Sequence, residues 1–145
     1  MESKTTVEDS IVINASPSRV WEVLTTPEIM KEWLTDIGVE VISDFKVGNL
    51  IVFSGKWHGV KRDDHGFILE FEPEKVYKYS YWTKISRLPD VPENYAIIEF
   101  RLIQKDNQTI LDLTNSNLIA LAAWEHSNFY WSVTLGVIKK MAEEN

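Results

Sequence analysis

Apolar and polar residues alternate through the middle of this chain. Six runs carry the pattern from Gly38 onward: "GVEVISDF", "NLIVFSGKW", "GFILEFEPE", "KVYKYSYWTK", "NYAIIEFRLIQ" and "TILDLTNSNL". A period of two sends successive side chains to opposite faces, so each run predicts a strand with one face turned to a core. The connections are short and hold turn formers: Lys46-Val47-Gly48, Asp63-Asp64-His65-Gly66, Glu72-Pro73-Glu74 and Lys105-Asp106-Asn107-Gln108. Hairpins of that length predict sequential antiparallel pairing. A seventh run, "TVEDSIVINA" (Thr6 to Ala15), comes first in the chain and alternates around Val7, Ile11 and Ile13.

After that first strand the period changes. Ser16-Pro17 supplies an N-cap and a proline at the first helical position, and Val20, Trp21, Val23 and Leu24 form an apolar face. Thr26-Pro27 repeats the signal, which predicts a second short helix over about Glu28 to Leu34 with Ile29, Trp33 and Leu34 apolar. The closing segment, "NFYWSVTLGVIKKMAEEN" (Asn128 to Asn145), reads as a helix. At about 100° per residue its apolar positions, Tyr130 through Ala142, span an arc roughly 200° wide, against somewhat over ~100° for an ordinary surface helix. Such a helix should lie in a groove, gripped on three sides by a curved sheet. Thr134 sits near the centre of the arc, where its hydroxyl either bonds back to its own helix or faces a cavity. The expectation is a two-layer α+β fold: a seven-stranded curved antiparallel sheet around one long C-terminal helix, with two short helices between strands 1 and 2.

Composition narrows the classes. The 145 residues suit one domain, taken as 1–145 with its core at about 8–143. A net charge of −7 argues against nucleic acid as a partner and against attraction to an anionic membrane. The absence of cysteine removes disulfides, thiolate nucleophiles and Cys-ligated metals together. The first residues, "MESKTTVEDS", lack the apolar core of a signal peptide, and no run approaches the ~20 apolar residues of a membrane span. A cytoplasmic protein is expected, without membrane insertion. One irregular connection, "ISRLPDVPEN" (Ile85 to Asn94), is either a solvent loop stiffened by its prolines or a functional rim.

The element order, together with "IVINASPSRVWEVLTTPEIMKEWL", "KVGNLIVF", "GFILEFEPEKVYKYSYW", "NQTILDLTN" and "YWSVTLGVIKKMAE", resembles the helix-grip fold of the START-like (SRPBCC) superfamily. More narrowly it resembles the family named for the activator of the heat-shock protein 90 ATPase homologue. The likeness runs from about Glu8 to Glu143. It departs from the family's usual pattern at Gly48-Asn49, Gln108-Thr109 and Tyr130-Trp131, where relatives often carry glycine, and so places a large side chain at Tyr130. The resemblance implies a cavity between the concave sheet and the final helix, used by relatives for lipids, polyketides and other apolar molecules.

On that fold Trp33, Trp82, Tyr130 and Trp131 should come near the cavity or its mouth, each joining an apolar body to a polar tip. Thr134 and the histidines His58 and His126 complete the candidate ligand-binding set, with His126 expected just before the final helix. "WHGVKRDDH" (Trp57 to His65) meets no regular metal-ligand spacing and reads as a solvated turn. There is no nucleophile elbow, phosphate loop or dinucleotide fingerprint. No catalytic residue, metal or cofactor is expected. The leading reading is a binding protein, monomeric or homodimeric, holding an apolar or aromatic small molecule. The alternatives are a chaperone-interaction module that stimulates an ATPase, and a cyclase- or hydrolase-type enzyme using His126 or His58 as acid-base.

Overall fold

The computed structural model describes residues 5–34, 39–57 and 60–144. Strand β1 (Val7–Ile13) is followed by helices α1 (Pro17–Thr25) and α2 (Pro27–Leu34). Strands β2 (Glu40–Ser43), β3 (Leu50–Trp57), β4 (Val60–Glu72), β5 (Val76–Tyr81), β6 (Ala96–Lys105) and β7 (Gln108–Ser116) come next, and helix α3 (Leu121–Glu143) ends the chain. All seven strands form one antiparallel sheet in the order β1-β7-β6-β5-β4-β3-β2. Strands β2 to β7 thus meander, and β1 adds to the far edge beside β7. This is the helix-grip arrangement that the alternation and the two proline-led helices predict.

Local chemistry explains most boundaries. The Ser16 side chain accepts a hydrogen bond from the Arg19 amide at 3.2 Å, with Pro17 in the first turn of α1. Three of the four expected turns form, with Gly48 (φ +91°), Glu74 (φ 64°) and Asp106 (φ 55°) in the left-handed region. The fourth is a correction. Asp63 to Gly66 do not turn; they lie inside β4, paired with Ser54, Phe53, Val52 and Ile51 of β3. Their polar sequence has the composition of a turn, but a long strand shared between two neighbours overrides it. The first part of β4 pairs with β3 and the rest with β5, and the register shifts between Ile68 and Glu70. A bulge of that kind bends the strand and increases its twist, which curves the sheet around α3.

The helix α3 also differs from expectation. It begins at Leu121, not Asn128, with Ala120 as a cap residue that offers no side-chain hydrogen bond. The segment "LAAWEHSN" has good helix formers but no polar cap at its start, so composition alone does not mark the boundary. His126 therefore stands within the second turn of α3 and not before it. Trp131, Thr134, Leu135, Ile138 and Ala142 are buried against the sheet and α1. Val133 and Val137, on the other flank of the apolar arc, are 53% and 38% exposed. The helix is gripped on two sides, and its third side opens on a cavity.

Aromatic rings make the centre of the core. Phe100 stacks on Tyr77 at 5.9 Å and takes Trp33 and Trp131 edge-on at 6.1 and 5.6 Å. Trp21 packs on Phe71 and Tyr77. Among the described residues no helix is long and apolar enough to cross a membrane.

Candidate functional site

A cavity of about 830 Å³ lies between the inner face of the sheet and the N-terminal half of α3. Strand alternation builds its floor: Phe53 on β3, Tyr79 and Tyr81 on β5, Ile98 on β6 and Asn115 on β7 all face it. Trp33 and Leu34 at the end of α2 close one side. The β5–β6 connection supplies Thr83, Ser86, Leu88 and Asn94, so the proline-containing loop forms a rim of the cavity. From α3 come His126, Tyr130, Trp131, Val133, Thr134 and Val137.

The polar groups differ in what they are free to do. Asn115, 3% exposed, is fully engaged: its side-chain amide donates to the Ile97 carbonyl at 3.1 Å, and its oxygen accepts from Ser127 and from the Trp131 indole at 2.8 and 3.2 Å. The Tyr130 hydroxyl donates to the Leu34 carbonyl and ties α3 to the end of α2. His126 is exposed and stacks on Tyr130 with ring centroids 6.3 Å apart. Asp64, 2% exposed, accepts a hydrogen bond from the Tyr81 hydroxyl at 2.5 Å. By contrast, the hydroxyls of Tyr79 and Thr134 have no hydrogen-bond partner among the described residues. Burial pushes the Tyr79 phenol well above its ordinary pKa, with the Tyr130 hydroxyl adding to the effect. Its proton therefore stays in place as a donor.

Among the residues singled out from sequence, Trp33, His126, Tyr130, Trp131 and Thr134 line this cavity. Trp33 has a structural task as well, donating its indole N–H to the Val23 carbonyl at 2.8 Å. His58 lies outside the described residues. Trp82 is a correction: it is not in the lining. Tyr79 and Tyr81 point inward, and alternation turns Trp82, one residue further on, to the outer face. There it bridges to His65, ring centroids 5.4 Å apart, and its indole N–H is buried without a partner among the described residues. His65 in turn contacts the Tyr95 hydroxyl at 2.8 Å and Asp90 at 3.1 Å. Sequence reading missed Tyr79, Tyr81 and Asp64 as cavity residues. Period two within "KVYKYSYWTK" carries the signal for the tyrosines, because Tyr81 and Trp82 cannot face the same way. Asp64 was hidden by its turn-like surroundings.

Residues 14–143 match the family described as Activator of Hsp90 ATPase homolog 1-like protein. The chain belongs to this family. No curated protein matches it. Among solved structures, ChR145 from Cytophaga hutchinsonii is 36% identical, with a TM-score of 0.83 over 99% of this chain and 97% of that one. CV1439 from Chromobacterium violaceum is 20% identical and superposes with a TM-score of 0.79, covering 97% and 99% of the two chains. The Aha1 dimer from Colwellia psychrerythraea is 25% identical, with a TM-score of 0.72 over 95% and 96%. Membership in the Hsp90-activator-homologue-like family makes the chain a small domain of the ligand-binding or Aha1-like kind. Within that family framework, Tyr130 occupies the cavity wall with a ring that also anchors α2.

Proposed function

We propose that this chain is a one-domain cytoplasmic binding protein that holds an apolar or aromatic small molecule, of lipid, polyketide or flavonoid-like size, between its sheet and α3. One observation carries the reading: the cavity of about 830 Å³. Protein interiors close their voids, and each ångström cubed of empty apolar space costs stability. A preformed cleft of this size, mostly apolar with a few convergent polar groups, has the dimensions of a ligand site. A molecule burying about 300 Å² of apolar surface there gains roughly 7 kcal/mol before association entropy is met. Val133, Val137 and Phe129 remain exposed at the opening and gain cover when it fills.

The test is an amide NMR titration with a panel of fatty alcohols, alkylphenols, flavonoids and polyketide-like aromatics. Shifts should concentrate on α3 and on β5 and β6. Tyr130→Ala should weaken any hit by tenfold or more, about 1.4 kcal/mol, while Trp82→Ala on the outer face leaves it unchanged. Shifts absent from the inner face for every compound would sink the reading.

A second reading, a chaperone-contacting module that acts as a homodimer, draws support from the 25% identical Aha1 dimer and from exposed Ile119, Leu121 and Phe129. It predicts a concentration-dependent sedimentation coefficient and retention of the heat-shock protein 90 chaperone on the immobilised chain. Turnover would fall to His126, which stacks on Tyr130 near the opening, or to His58, which lies outside the described residues.

A further inference from the structure

Most hydroxyls and amides that line the cavity are already engaged by the protein. Tyr81 donates to Asp64, Ser86 to the Thr83 carbonyl, Asn94 to the Pro89 carbonyl, Ser127 to the Asn115 side-chain oxygen and Tyr130 to the Leu34 carbonyl. Tyr79 and Thr134 differ. They are 2% and 4% exposed, both line the cavity, and neither hydroxyl has a hydrogen-bond partner among the described residues. The Tyr77 hydroxyl, two residues back on β5, is sealed in the core without a partner, whereas those of Tyr79 and Thr134 open on the cavity. Around Tyr79 the contacts are apolar or aromatic: Ile68 and Ile98 are its cross-strand partners, and its ring packs on Phe53 and Tyr77 at 5.6 and 5.1 Å. A helical hydroxyl can bond back to its own helix, as Thr25 does to the Trp21 carbonyl and Ser132 to the Phe129 carbonyl, both at 2.8 Å. Thr134 makes no such bond among the described residues.

Two unengaged hydroxyls, one on the sheet and one on the helix, face the space that a ligand fills. A ligand that covers them without pairing them leaves buried hydrogen bonds unmade and loses affinity for it. Burial keeps the Tyr79 proton in place, so this hydroxyl is a standing donor. Its complement is an acceptor, and an acceptor without a proton of its own adds no further donor to be satisfied. A carbonyl oxygen, with two lone pairs, meets that description. We propose that the cavity recognises a carbonyl compound, a ketone or ester on an apolar body, whose oxygen accepts from the Tyr79 hydroxyl, with Thr134 as a second donor from the helix side. Before a ligand enters, such hydroxyls bond to water, so the gain is the net worth of a hydrogen bond, about fivefold in affinity.

This inference rests on the binding reading above and can fail separately from it. Benzophenone and diphenylmethane share two rings and differ in the carbonyl alone, and each is titrated by amide NMR and calorimetry. Tyr79→Phe should weaken benzophenone about fivefold and leave diphenylmethane unchanged, and Thr134→Val should act in the same direction. Neither hydroxyl supports the fold in this account, so both variants should melt no lower than the parent. With the carbonyl carbon-13 labelled, its resonance should move downfield on binding to the parent and less on binding to Tyr79→Phe. If Tyr79→Phe weakens both probes alike, or neither, the carbonyl contact is wrong while the binding reading stands. A lower melting temperature for Tyr79→Phe would assign that hydroxyl to the fold and overturn its role as a ligand donor. Unchanged benzophenone affinity in Thr134→Val removes the second donor. If neither probe reaches the inner face, this inference falls, and the wider panel above decides the binding reading.

Discussion

At Gly66 the backbone of β4 runs so close to β5 that a Cβ would stand 1.7 Å from the Ser80 carbonyl oxygen. Neither atom belongs to a flexible side chain, so the strands themselves must part. Gly66→Ala should cost about 3 kcal/mol or more, read as a lower urea midpoint. The outer face offers a titration. Tyr95 is pushed up to about 12, first by burial and then by its hydrogen bond to Asp90. Its neutral form is favoured by folding, so this contribution is intact below the ordinary phenol value near 10 and is lost as pH rises from there toward 12. Absorbance titration should find Tyr95 ionising late, with the buried Tyr77 and Tyr79 later still, and Asp90→Asn should bring Tyr95 alone down. Single residues were also where sequence reading did least well. Asp64 and Trp82 exchanged their expected places, one buried in the wall and the other turned outward, because face assignment needs the phase of the alternation as well as its period. For Thr134 the sequence left two places open, a bond back to its own helix or a cavity, and the structure puts the residue in the cavity lining.

The long helix depends on side chains that reach it from elsewhere. Arg19 of α1 donates to the carbonyls of Ala142, Met141 and Glu144, at 3.4, 2.9 and 3.1 Å. A guanidinium there satisfies backbone acceptors at the helix end and opposes the negative pole of its dipole. Arg19→Ala should cost about 1 to 2 kcal/mol and speed amide exchange in the last turn of α3 before it affects the first. Going the other way, α3 covers the edge of the sheet. Lys139 donates to the Val12 carbonyl at 2.8 Å, Glu143 accepts from the Asn14 amide at 2.7 Å, and the Trp124 indole donates to the Thr6 carbonyl at 2.7 Å. An edge strand that would otherwise invite a second chain is thereby occupied. Strands and proline-led helices were legible because alternation and caps are local signals. The start of α3 was not, since nothing at Ala120 marks it. Nor was the grip on three sides: part of the wide apolar arc packs on the sheet, and part, with Val133 and Val137, faces the cavity.

Across the whole molecule, the cavity makes stability conditional on occupancy. A ligand present at about a hundred times its Kd adds ~2.7 kcal/mol, which a thermal melt reads as a rise of several degrees. Topology adds a consequence of another kind. Consecutive strands from β2 to β7 are neighbours, but β1 pairs only with β7, Val7 opposite Asn115. During synthesis β1 leaves the ribosome ahead of the other six strands of this sheet and must wait for β7, the last of them. At roughly 5 to 20 residues per second, Val7 emerges about 5 to 20 s ahead of its partner. Through that interval an alternating apolar segment stands without its ladder, and the nascent domain is most in need of protection before β7 has been made.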